Sequence, residues 1–331
     1  TGSNGVIIEN LETAYQNHRS LLEKHLTRYA EYRQDSFTAL NTAFSEDGLF
    51  LYIPDQQALE KPVHLLNLSD AQNSYFQSHP RNLAVLGDNS EGSLIETHYH
   101  LSNGTYFHNA VSEIFIGKDS RLNYSRLQND SSKAFRISRT NIHQSDKSLL
   151  NAVNIDLGGA IVRNNTDLIL DGEYIEANLH GFYHMKDNQH VDNHTNINHL
   201  KPNCESNELF KGILEDLSRG VFSGTIYVAR DAQKTNAFQS NKNLLLSEEA
   251  EIDTKPQLKI FADDVKCSHG ATIGELDEES VFYLQQRGIN KEDAQVLLRA
   301  AFAGEVFTKI SLEPVRQKFE NLVNQRLQKG Q

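Results

Sequence analysis

At 331 residues with 38% apolar composition, the chain can bury a sizeable core as one large domain or two to three ordinary ones. Its formal net charge of −12 argues against wrapping a phosphate backbone, whose affinity comes from concentrated Lys and Arg, and no apolar run approaches the roughly 20 residues of a membrane-spanning helix. The two cysteines, Cys204 and Cys267, make no disulfide framework and fit a reducing compartment, for which cytoplasm is the simplest assignment.

The opening residues Thr1 to Gly5 carry neither the charged nor the apolar region of a signal peptide. From Leu11 to Tyr29, apolar residues at Leu11, Ala14, Tyr15, Leu21, Leu22, Leu26 and Tyr29 keep a helical period and predict one amphipathic helix. Pro54 and Glu60-Lys61-Pro62 break that texture, and Val63 to Leu68 reads as a strand. Between about Asn82 and Lys266 short apolar runs recur, among them Leu83–Leu86, Leu94–Leu101, Leu122–Leu127, Val153–Leu157 and Leu168–Leu170. Breaks are expected at Asn103-Gly104, Asn129-Asp130, Gly158-Gly159, Asn164-Asn165 and Asp171-Gly172. Such spacing suits a sandwich, a barrel or a solenoid, and no exact repeat decides among them.

Histidine occurs 14 times, with clusters at His98, His100 and His108 and from His180 to His199. His98 and His100 share a strand face and His190 and His194 flank Asp192, but satisfied core or turn histidines are the favoured reading. Cys204 reads as a packed thiol in a turn. No His-Glu-x-x-His, Gly-x-Ser-x-Gly or Walker A pattern is present.

The most informative stretch is Cys267-Ser-His-Gly-Ala-Thr-Ile-Gly-Glu-Leu-Asp-Glu-Glu-Ser-Val-Phe-Tyr-Leu-Gln-Gln-Arg287. Cys267 and His269 leave the same face of an extended strand, two soft ligands where four are usual, so another chain must complete any metal or cluster site. Asp277 is placed to cap a helix whose Val281, Phe282, Tyr283 and Leu284 make it apolar around most of its circumference. Asn290 caps a second helix and Ser311-Pro314 opens a third.

That stretch, with Gln189–Thr195, Cys204–Gly212, Arg219–Gly224, Asn243–Ser247, Arg287-Gly288-Ile289 and Ala300–Ala303 in the same order, resembles the SufB/SufD family of iron–sulfur cluster assembly scaffolds, and within it the SufD branch. The resemblance implies a mostly β protein whose right-handed parallel β-helix core is flanked by helical segments. The expected boundaries are 1–62 for an N-terminal helical segment and linker, 63–273 for the β-helix and 274–331 for a helical domain. It also implies that the many Asn residues form turns between rungs, and that more chain precedes Thr1 in the whole protein. SufB-like members carry a cysteine just ahead of the stretch matching Asn243–Ser247, where this chain has Ser240, Asn241 and Lys242.

From the resemblance follow a scaffold role without catalytic residues, pairing with SufB, and docking of the ATPase SufC on Phe282, Tyr283, Leu284 and Arg287. Cys267 and His269 become the candidate half-site shared with SufB. No cofactor is expected in the isolated chain; a transient iron–sulfur cluster or iron is expected in the assembled complex, and a homodimer when the chain is isolated. Nucleic acid and membrane are not expected partners. A β-helix carbohydrate-active enzyme with paired carboxylates is the alternative, and a histidine-based metal-storage protein is a third class.

Overall fold

The computed structural model describes residues 4–33, 35–72 and 75–328. The chain opens with β1 (Ile7–Asn10), α1 (Leu11–Asn17), α2 (Arg19–His25) and α3 (Ser36–Phe44). Strands then follow one another: β2 (Leu49–Ile53), β3 (Val63–Ser69), β4 (Phe76–Ser78), β5 (Arg81–Leu86), β6 (Glu91–His100), β7 (Tyr106–Ile116), β8 (Arg121–Asn129) and β9 (Phe135–Gln144). They continue as β10 (Leu149–Asp156), β11 (Ile161–Leu170), β12 (Glu176–Met185), β13 (His190–His199), β14 (Glu205–Leu214), β15 (Arg219–Val228), β16 (Thr235–Leu245), β17 (Glu251–Ile260) and β18 (Val265–Gly274). Helices α4 (Glu278–Gln285), α5 (Lys291–Phe307) and α6 (Glu313–Gln328) close the chain.

From β5 onward successive strands fall alternately into two sheets, one ordered β1-β2-β5-β7-β9-β11-β13-β15-β17 with β4 beside β7, the other β3-β6-β8-β10-β12-β14-β16-β18. Apart from the antiparallel β1–β2 pair, all neighbours are parallel, and no helix crosses between them. This is the parallel β-helix implied by the resemblance, a solenoid of about eight turns. Rung length drifts: Leu149 pairs with Glu176, 27 positions on, and Arg219 with Glu251, 32 positions on. A drifting period leaves no exact repeat to find in the sequence.

Strand alternation sends one face into the lumen, where Leu122, Leu150, Ala177, Leu179, Val191, Phe222 and Ile226 form the core. Corners are built differently from expectation. A column of left-handed residues, Asn89, Asp119, Lys147, Tyr174, Asn203 and Lys234, recurs once per rung, and only two of these six are Asn. The left-handed backbone turns the amide toward the next rung, as in Asn89 N–H to Lys118 O at 2.8 Å and Lys147 N–H to Glu173 O at 2.8 Å. Most Asn residues serve inside strands. Asn123, Asn151, Asn178 and Asn207 are stacked in register and each amide after the first donates to the side-chain carbonyl of the rung before it, at 3.0–3.2 Å. The expected break at Asn164-Asn165 is mid-strand in β11, because Asn164 points into the lumen and bonds Asp156 and Asn193 there.

Each sheet is covered by one helical end. The N-terminal helices pack Ala14 and Leu22 on Phe50, Leu83 and Val85 of the longer sheet. The single helix expected over Leu11–Tyr29 is broken at His18 and ends at Leu26, and Thr27 takes a left-handed φ of 63°. The bend lets the amides of Thr27, Tyr29 and Ala30 reach the buried carboxylate of Glu113, a tertiary gain that overrides local helical period. At the other end, Ala303, Val306, Phe307, Phe319 and Val323 cover Leu127, Val153, Ile155 and Phe182 of the second sheet. The caps are as expected: Asp277 accepts from the amides of Glu279 and Ser280, and Asn290 from that of Asp293.

Candidate functional site

Strand β18 is the last of its sheet, bonded to β16 on one side and to no strand on the other among the described residues. Its register places Cys267 on Ala237 and His269 on Gln239. Ala237 and Gln239 are buried in the lumen, so both candidate ligands face the inside of the solenoid at its open end. Cys267 is half-buried against the core, and burial pushes its thiol up, so it needs a metal or a base to become a thiolate. His269 is exposed. Among the described residues no group of three or more His, Cys, Asp or Glu is placed to hold a metal ion. The chain itself places two side chains of soft-ligand type, Cys267 and His269, on one face of β18.

The other histidines sit in structural roles. His98 is buried against Glu96 at 2.7 Å, His100 meets the Asn129 carbonyl at 3.1 Å, and His194 meets Asp192 at 2.7 Å. His184 pairs with Glu215 at 2.9 Å and His199 with Ser206 Oγ at 2.9 Å. Burial pushes His180 and His199 down to about 4, so both are neutral at physiological pH. Cys204 is 1% exposed, directs its thiol to the Gly172 carbonyl at 3.1 Å, and is pushed up by burial to about 11. It is an inert packed thiol.

Sequence reasoning did not find the polar lumen. Arg126 bonds Asp156 and Asn164, Arg136 bonds Asp130, and Tyr124 with His98 holds Glu96. The only signal was charged residues in phase with core positions, as Glu96 is with Leu94. Near the open end, Tyr183, Asn241 and Asn243 are hydrogen-bonded together. Glu208 is fully buried one rung further in, and burial raises its carboxyl to about 7 against the hydrogen bond from Gln239. Its proton is then bound in the folded chain but lost in the unfolded one between about pH 4.5 and 7. The Glu208 contribution to stability is expected to fall by roughly 3 kcal/mol across that window and to level off above it, while the neutral His180 and His199 act in the opposite direction. Urea unfolding of the chain and of Glu208→Gln at pH 4.5 and 7.5 isolates it: the variant is expected to gain on the parent as pH rises, and an unchanged difference between the two at both pH values would contradict it.

The residues expected to dock a partner divide. Val281 is buried, Phe282 and Tyr283 are 61% and 57% exposed, Leu284 is half-buried, and the Arg287 guanidinium lies over the Tyr283 ring at 4.6 Å. The α4 helix thus presents two rings to solvent beside a groove of about 700 Å³ lined by Leu245, Leu246, Glu248, Gln285 and Arg299. Only Glu275, Leu276 and Asp277 separate it from β18.

Two family descriptions match the chain: the core domain of SufBD, of the SUF system for FeS cluster assembly, over residues 67–302, and the SufBD protein N-terminal region over residues 2–65. The chain belongs to the SufBD family. Among curated relatives it is 36% identical to an iron–sulfur cluster assembly SufBD family protein of Synechocystis, covering 88% of this chain and 66% of that one. It is 33% identical to the iron–sulfur cluster assembly protein SufD of Escherichia coli (89% and 70% covered) and 28% identical to SufD of Bacillus subtilis (98% and 74%). The chain therefore spans about two thirds to three quarters of the length of these relatives. The SufBD match covers the solenoid strands that carry both candidate ligands, and nothing in it supports the carbohydrate-active alternative. No helix among the described residues is long and apolar enough to cross a membrane.

Proposed function

We propose that this SufBD-family chain is a SufD-like, non-enzymatic scaffold subunit that pairs with SufB through the free edge of β18 and docks the ATPase SufC through its C-terminal helices. The observation that carries the reading is the contrast between the two terminal strands. An open sheet edge invites pairing unless proline or charge blunts it. Strand β17 carries Pro256 with Glu251, Asp253, Lys255 and Lys259, whereas β18 has no proline and, apart from Lys266 at its start, no Lys, Arg, Asp or Glu. The less protected edge is also the one bearing Cys267 and His269. A partner strand laid on it would bring its own ligands to the same lumen, and the iron or nascent cluster is the cargo held between the two chains.

Co-expression with SufB and SufC tests the pairing: a 1:1 complex with SufB is expected, lost when Ala271→Pro removes an N–H that the β16 register leaves facing the free edge, and undiminished pairing in that variant would count against the edge. In the absence of SufB the same edge is expected to pair with a second copy, measured as a dimer by sedimentation. The chain has no nucleotide motif, so ATP hydrolysis belongs to SufC in this reading. Phe282→Glu and Tyr283→Glu are expected to abolish capture of SufC while changing stability by less than about 0.5 kcal/mol, because both rings are already solvated. Retained capture in both variants would move the docking site away from α4.

A further inference from the structure

We propose that Gln239, held by Glu208, is a positioning residue that orients the His269 imidazole from inside the solenoid. The inference rests on the reading of Cys267 and His269 as ligands and extends that site one shell inward. Glu208, Gln239 and His269 are register partners on β14, β16 and β18, so they form one lumen-facing column at the roughly 4.8 Å spacing of neighbouring strands. Glu208 and Gln239 are each 3% exposed. Gln239 Nε2 donates to Glu208 Oε2 at 2.6 Å.

The far side of the amide is fixed by β15. A Cβ on Gly224 would stand 2.2 Å from Gln239 Nε2, so glycine at this position is what leaves the amide nitrogen room. With Nε2 directed to β14 and β15, the planar carboxamide turns its carbonyl away from both, toward the remaining neighbour, β18. Gln239 Oε1 is buried and has no hydrogen-bond partner, and an acceptor left so is costly. His269, next in the column, makes no hydrogen bond or ion pair among the described residues. An imidazole N–H donated to Gln239 Oε1 satisfies the orphan acceptor, selects one tautomer and leaves the other ring nitrogen with its lone pair aimed at the open end. Histidine ligands are commonly held by such a second hydrogen bond.

The test reads the imidazole directly. In the full chain labelled with ¹⁵N-histidine, the His269 ring shifts are expected to report one dominant tautomer, to relax to the mixture of free histidine in Gln239→Leu, and to be restored in Gln239→Glu, which keeps an acceptor. In the complex with SufB, Gln239→Leu is expected to retain about tenfold less iron at unchanged co-purification, with Gln239→Glu recovering it. Wild-type ring shifts in a folded Gln239→Leu chain would overturn the proposal; should that variant unfold, Gln239→Met, which keeps the length of the side chain, serves the same comparison. If instead His269→Ala leaves the iron content of the complex unchanged, the ligand reading fails while the ring shifts still decide whether Gln239 positions the imidazole.

Discussion

His269→Ala is expected to lower the iron and acid-labile sulfide retained by the complex with SufB by at least about tenfold, while leaving the two subunits associated. Even loss of an outer partner of a metal ligand costs a site 10- to 100-fold in affinity, so loss of a ligand itself should cost no less. Association is spared because His269 is exposed, so truncating it removes little contact area. Cys267→Ser should act in the same direction, with some loss of packing because Cys267 touches the core. The measurement is iron and sulfide per complex after purification from cells carrying each change. Wild-type content in His269→Ala would make the histidine structural and leave the edge pairing standing alone.

Glu113→Ala should be the most damaging single change to the fold, costing about 3–5 kcal/mol. The Glu113 carboxylate is wholly buried and accepts five hydrogen bonds: from the amides of Thr27 at 2.9 Å, Tyr29 at 2.8 Å and Ala30 at 3.0 Å, and from Arg81 Nε at 3.0 Å and Nη2 at 2.6 Å. Its removal leaves a buried guanidinium without its countercharge and three amides without acceptors. A domain with 5–15 kcal/mol of total stability feels that as a large fraction. The damage should be local first: hydrogen exchange across Leu11–Leu26 is expected to lose protection before the solenoid does, because Glu113 is what ties that segment to β7. A urea midpoint shift worth less than about 1 kcal/mol would show that the clamp is redundant with the apolar packing of Ala14 and Leu22.

Part of the candidate site was legible because its grammar is local. Cys267 and His269 stand two apart, and an extended chain puts such residues on one face whatever the rest of the fold does. Asp277 and Asn290 cap the helices that follow them, since a capping side chain reaches only two or three residues ahead. The ring pair Phe282 and Tyr283 was visible as apolar residues in excess of one helix face, but which of the four successive apolar residues is buried depended on how α4 lies against the rest of the helical end. Val281 went inside and the two rings did not.

What the sequence determined by itself was a share of the elements, among them the strands around Val63–Leu68 and Leu83–Leu86 and the three C-terminal helices, the common face of Cys267 and His269 and, through blocks of residues in order, membership of a family with a β-helical core. What tertiary structure alone decided was partnership. A rung's neighbour lies 26 to 33 positions away and the interval drifts, so no spacing rule connects Glu208 to Gln239 or Gln239 to His269. For the same reason Asn164 looked like a turn and proved to be a lumen residue, and the helical period from Leu11 to Tyr29 gave way to a bend that satisfies Glu113. Alternation of side chains is set by bonds within a strand, whereas the environment each side chain meets is set by strands that the chain reaches only after a full turn of the solenoid.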